Sequence, residues 1–182
     1  MKQEYLDIVD ENNNPTGQKK LRSEAHSKGL WHKTVHIYFF RVKDGGFEIL
    51  VHLRAKTKDL HPNCWDTRFG GHLKSGESPE EAVLGEIKEE VGLKVNLEDL
   101  VKGKIVKREH YPNNEFTHIY FYNFDRDISE LKFEDDEVQE VKWMSVDSIV
   151  EGILDNPNNW SAGADNFKRV IKDLEHKYPL KP

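Results

Sequence analysis

Cysteine is almost missing from this chain. Cys64 is the only one in 182 residues, which excludes an internal disulfide framework and fits a reducing cytoplasm. Long apolar runs are missing too: no window approaches the length needed to span a bilayer, and no signal-peptide pattern opens the chain. Positive charge is in deficit. The 27 Lys and Arg residues face 33 Asp and Glu, a net charge of −6, which argues against a duplex nucleic-acid binder that works by neutralising phosphates. Internal repeats, low-complexity tracts and interdomain linkers are also absent. What remains is 36% apolar and 33% charged residues, a soluble globular balance with enough Trp, Phe and Tyr for a core. The length suits one domain. The expectation is a single-domain cytoplasmic protein with no membrane contact.

The chain is organised around residues 70–93, GGHLKSGESPEEAVLGEIKEEVGL. Ser78, Pro79 and Glu81 are in the order of an N-cap serine, a first-position proline and a third-position glutamate, which predicts a helix starting there. It should run to about Val91 and end at Gly92. On it Glu86, Glu89 and Glu90 stand three and four residues apart, so their carboxylates share one face. Three acids on one turn repel each other unless something positive sits among them. The preceding glycine-rich loop lets backbone approach a ligand closely. Together they suggest a site for a hard divalent cation and a phosphate-bearing substrate. The plain alternative is an ordinary solvated acidic face. Val83, Ile87 and Val91 read as core contacts.

Elsewhere the pattern predicts a mixed sheet flanked by helices. Residues Glu4–Val9 alternate as a first strand, Asn12–Gly17 reads as a turn, and Leu21–His26 as a helical turn. Lys33–Val42 and Phe47–Ala55 form a hairpin about Asp44-Gly45-Gly46. Lys56–Trp65 is a loop, and Asp66–His72 a short strand delivering the glycines. Val101–His110 and Glu115–Phe124 form two strands joined at Pro112-Asn113-Asn114, and Glu137–Met144 forms another. Helices follow from Ser145 to Leu154 and from Gly163 to His176, the second burying Phe167, Val170, Ile171 and Leu174. Among candidate side chains, His36 and His52 read as structural, and Cys64 as a small, partly buried apolar residue. Trp31, Phe40 and Trp65 read as core aromatics before base-stacking platforms.

The stretch 70–93 resembles the Nudix box, GX5EX7REUXEEXGU, where U is a bulky apolar residue. Gly71, Glu77, Glu86, Ile87, Glu89, Glu90, Gly92 and Leu93 fall at the required spacing, a far stronger signal than a lone glycine motif. Gly85 departs, standing where the motif has arginine. In that family the arginine pairs with the first glutamate, here Glu77; Arg68 and Lys74 are candidates to supply the missing charge. The resemblance implies a Nudix-type α/β/α sandwich with a mixed β-sheet. It also implies a Mg2+- or Mn2+-dependent hydrolase of a small-molecule diphosphate, such as a nucleoside diphosphate linked to another group. Glu86, Glu89 and Glu90 would hold the cation, with a backbone carbonyl of Gly70 or Gly71 as a further ligand. Glu89, Glu90 and Glu115 are the candidate general bases. Arg54, Arg68 and His72 are candidates to bind substrate, and a homodimer is implied by analogy alone.

The N-terminal half resembles one branch of the same family, the isopentenyl-diphosphate isomerases and related hydrolases. The residues that carry this are Asp7-Ile8-Val9-Asp10-Glu11, Asn13, Gly17, Arg22, His26, Gly29 and His32, with residues 1–32 as an N-terminal elaboration. In the isomerases two N-terminal histidines, a histidine beside the glycine loop and two glutamates hold a metal. Here that implies His26, His32, His72 and Glu115, but Asn113 replaces the other glutamate. A cysteine next to the loop works with a glutamate in proton transfer; Gly70 stands at its position, which disfavours isomerase activity. A binding module that kept the fold is the third reading, suggested by Gly85.

Overall fold

The computed structural model describes residues 3–57, 60–133 and 138–180. A short hairpin, β1 (Tyr5–Val9) and β2 (Pro15–Leu21), is followed by helix α1 (Arg22–Lys28). The main sheet comprises β3 (His32–Lys43), β4 (Gly46–Arg54), β5 (Trp65–Asp66), β6 (Leu100–Arg108), β7 (Glu115–Asn123) and β8 (Val138–Ser145). Helix α2 (Pro79–Val91) lies between β5 and β6, and α3 (Val146–Asp155) and α4 (Ala164–Lys177) close the chain. The main sheet runs β5-β4-β3-β7-β6, with β8 on the far side of β4.

The alternation along β3 and β7 explains the layering, because successive side chains of a strand face opposite ways. Val35, Ile37 and Phe39 pack with Val83, Ile87 and Val91 of α2 on one face. Tyr38, Phe40, Ile119 and Phe121 pack with Ile149, Ile153, Phe167, Ile171 and Leu174 of α3 and α4 on the other. The result is an α/β/α sandwich with a mixed sheet: β3 and β7 run parallel, and the other pairs run antiparallel.

Two features depart from the sequence reading. Among the described residues there are two sheets, because β1 and β2 pair separately, and Pro15–Gly17, expected as turn, opens β2. The chain after β4 also does not form one strand from Asp66 to His72. β3 and β4 pair only near their turn, from Phe40–Ile49 to Lys43–Gly46. Where they diverge, residues 65–73 run between them: Trp65 and Asp66 pair with β4, while Phe69, Gly71 and Leu73 bond to Ile37, Val35 and Lys33 of β3. This wedge carries the glycine loop to α2. The expected loop Lys56–Trp65 includes residues 58–59, and the expected strand Glu137–Met144 begins at residue 137, both outside the described residues. Where described, the latter strand is β8.

Candidate functional site

Helix α2 begins as its sequence requires. Ser78 Oγ accepts from the Glu81 N–H at 3.2 Å, and Glu81 Oε2 accepts from the Ser78 N–H at 2.9 Å. This reciprocal cap satisfies two donors that a helix start leaves open. Gly92 ends the helix in the left-handed conformation, φ 68°. Burying Val83, Ile87 and Val91 turns the acidic face toward the glycine loop.

The three glutamates have different surroundings. Glu90 Oε2 accepts a 2.7 Å hydrogen bond from the Gly70 N–H. The Glu86 carboxylate lies over Gly71, where a Cβ would stand 2.5 Å from Oε1. Burial first, and then the nearby Glu89, push the Glu86 carboxyl up to about 7. Glu89 is the exposed member and pairs with Lys74 Nζ at 3.6 Å. Glu77 Oε2 accepts from the Lys74 N–H at 2.9 Å, closing the loop into a turn. The Gly71 carbonyl, a candidate ligand, already accepts from the Val35 N–H at 2.9 Å.

Lys74 supplies positive charge to this acidic group. Its ammonium is raised above its ordinary range against the opposing pull of burial, by Glu89, Glu77 and Glu86 in turn. The oxygen-only donors and the high Glu86 pKa fit a hard divalent cation, since a buried excess of negative charge is what such an ion relieves.

A second cluster joins three separate elements. His26 of α1, His32 of β3 and His72 of the wedge bring ligand atoms within 4.8 Å of one another. His26 Nε2 and His72 Nε2 lie 3.1 Å apart. His32 Nδ1 donates to the Leu30 carbonyl at 2.8 Å, leaving Nε2 buried with no hydrogen-bond partner. That atom faces Glu115 Oε1 at 4.0 Å, because His32 and Glu115 are paired in register across β3 and β7. Burial, ahead of neighbouring positive charge, lowers His26 to about 4 and His72 to about 2, so both rings stay neutral with lone pairs to offer. Neutral imidazoles around an orphaned ring nitrogen are a donor set for a borderline transition ion.

The candidate substrate arginines gather around Asp66. Arg54 donates to the Leu60 carbonyl at 3.0 and 3.2 Å. Arg54 and Arg68 both stand 3.6 Å from the buried Asp66 carboxylate. Arg108 was not singled out in the sequence. It pairs with Glu115 at 3.3 Å, and burial followed by the Arg68 guanidinium lowers its pKa. The signal was available: pairing β6 with β7 about Pro112 places Arg108 opposite Glu115. Glu4, also missed, lies 3.9 Å from His72 Nδ1. Phe40 is core, Trp65 packs against Trp160, and Trp31 packs on Phe116 with Lys107 above its ring. Cys64 is buried, its thiol donating to the Asn158 carbonyl at 3.3 Å.

Among known proteins, the NUDIX domain family profile matches residues 30–168. An uncharacterised Nudix hydrolase of Clostridium acetobutylicum is 36% identical over 160 residues, 86% of this chain and 76% of that protein. An isopentenyl-diphosphate Delta-isomerase of Photorhabdus laumondii is 28% identical over 179 residues, 96% of this chain and 94% of that protein. A crystal structure from Deinococcus radiodurans matches in fold with a TM-score of 0.70 at 22% identity, covering 92% of this chain and 99% of that one.

Proposed function

This chain belongs to the Nudix family, whose hydrolases act on pyrophosphate bonds, and we propose that its substrate is a nucleoside diphosphate linked to another group, cleaved with Mg2+ or Mn2+. One observation carries the reading: Glu86 is packed on Gly71 while Glu90 accepts from Gly70, so the acidic helix and the glycine loop form one unit. Glu86, Glu89 and Glu90 would hold the ion. When bound, the ion neutralises pyrophosphate oxygens and acidifies water.

The residues of the chain supply the rest. Glu89, the most exposed of the three glutamates, takes the proton of the attacking water. The water oxygen bonds to phosphorus, the bridging P–O bond breaks, and its electron pair leaves with the departing phosphate. Arg68 and Arg108 hold the charged end of the substrate, Arg108 being the more accessible of the two at 36% side-chain exposure against 15%. The chain is read as one cytoplasmic domain in which residues 1–32 are an elaboration; the lone buried Cys64 suits a reducing compartment.

The histidine cluster favours a second reading, isopentenyl-diphosphate isomerisation. Gly70 in the thiol position and Asn113 in a ligand position weigh against it. One screen separates them: nucleoside diphosphate derivatives and isopentenyl diphosphate, each with Mg2+ or Mn2+, using wild type, Glu89→Gln and Glu90→Gln. Metal-dependent formation of a nucleoside monophosphate and a phosphorylated partner, lost in both variants, supports hydrolysis, and an allylic product supports isomerisation. Equal traces of product from all three proteins would remove the enzymatic assignment.

A further inference from the structure

We propose that Asp7 is a positioning residue for the metal-binding loop, an inference that rests on the reading of Glu86, Glu89 and Glu90 as the cation site. Asp7 lies in β1, outside the residues 30–168 that match the family profile. Its neighbours Leu6 and Ile8 turn inward and pack with Ala25 in a small separate core. Strand alternation turns Asp7 the other way. There its two oxygens accept from Ser75 Oγ at 2.6 Å and from the Gly76 N–H at 2.8 Å. The backbone joins in: the Ser75 N–H donates to the Tyr5 carbonyl at 2.7 Å, and Leu6 bridges to Lys74.

These contacts hold the turn that leads into α2. Within it, the Glu77 N–H donates to the Lys74 carbonyl at 2.9 Å, and Glu77 Oε2 accepts from the Lys74 N–H. Lys74 in turn is the cation facing Glu89, and its charge lies close enough to Glu86 to oppose the rise of that carboxyl. Gly76 sits at φ 84° in this turn, with nothing among the described residues within 4 Å of a would-be Cβ. The Asp7 carboxylate adds two charge-assisted hydrogen bonds to the backbone bonds from Tyr5 and Leu6 that hold the turn. Removing them loosens the turn that holds Lys74 and Glu77 against α2, and the cation site is less firmly positioned.

Mg2+ titration calorimetry on the whole chain tests this, because Mg2+ selects carboxylate oxygens over imidazole. Asp7→Ala should weaken Mg2+ binding about tenfold, a typical effect of losing charged hydrogen bonds. Asp7→Asn keeps one acceptor oxygen and should fall between, and Ser75→Ala should weaken binding by a smaller factor. Thr16→Val removes the 2.7 Å bond from Thr16 Oγ1 to the Ile8 carbonyl, away from the loop. It should lower the melting temperature and leave Mg2+ affinity unchanged. If Asp7→Ala binds Mg2+ like wild type while Glu86→Gln does not, the role of Asp7 is overturned and the cation site stands. If Thr16→Val weakens binding as much as Asp7→Ala, Asp7 acts only by stabilising the hairpin and the inference falls. A wild-type chain that binds no Mg2+ removes both.

Discussion

The Glu86 carboxylate and the Gly71 backbone are in contact: a Cβ at residue 71 would stand 2.5 Å from Oε1 and 2.9 Å from Oε2. Gly71 is therefore required by a side chain on the helix that follows it. Gly71→Ala should swing the Glu86 carboxylate away while Val83, Ile87 and Val91 keep α2 in place. A displacement of about 1 Å in a catalytic group can lower turnover about 100-fold. The check is kcat beside the melting temperature: a large fall in kcat with a small fall in stability is expected.

Gly85 is the opposite case, with nothing within 4 Å of a would-be Cβ. Gly85→Ala should stabilise α2 by about 1 kcal/mol through helix propensity and leave activity unchanged. Gly85→Arg should add little rate, because Lys74 already faces the acidic cluster. Lys74→Met should lower the rate, and Gly85→Arg should restore part of it in the double variant. Kinetics at saturating Mg2+, with urea unfolding for the alanine variant, separate these outcomes.

The box, the α2 cap and the strands β3, β4 and β7 were legible in the sequence, because each is written locally: 3.6-residue spacing along α2, and β-branched and aromatic runs bounded by turn residues in the strands. β2 was not. Its residues Pro15–Leu21 show no inward-facing alternation and hold to β1 through backbone pairing, which leaves no side-chain pattern. The wedge at 65–73 was half legible, since its irregular bonds to β3 depend on where β3 and β4 part. The histidine cluster came only through a resemblance, because His26, His32 and His72 meet through tertiary packing. The placement of Lys74 beside Glu89 and Glu77 needed the loop geometry, which the letters do not contain.

Gly70 bears on the isomerase reading directly. Its φ is 136°, and a Cβ there would collide with the carbonyl oxygen of Val35. Gly70→Cys, which supplies the thiol the isomerases use, should destabilise the fold by about 1–3 kcal/mol, the usual strain at such a backbone position. It should yield no allylic isomer, because the wedge must shift to admit the side chain. Denaturant unfolding and a product assay on isopentenyl diphosphate measure the two effects.

His118 sets a pH dependence of stability. It is 7% exposed, and neither ring nitrogen has a hydrogen-bond partner among the described residues. Burial first, then Lys33 and Lys102, lower its pKa from 6.5 to about 4. The unfolded chain therefore takes up a proton at a higher pH than the folded one. Stability is fully present above 6.5 and is lost as pH falls toward 4. His26 and His72 shift in the same direction, so wild type alone does not isolate the effect. His118→Phe removes only this group and its unpartnered nitrogens. Compared with wild type, it should gain stability on the order of 1 kcal/mol more at pH 5 than at pH 7, by linkage. Urea unfolding at the two pH values measures the difference, and an equal gain at both would show that His118 does not carry the shift.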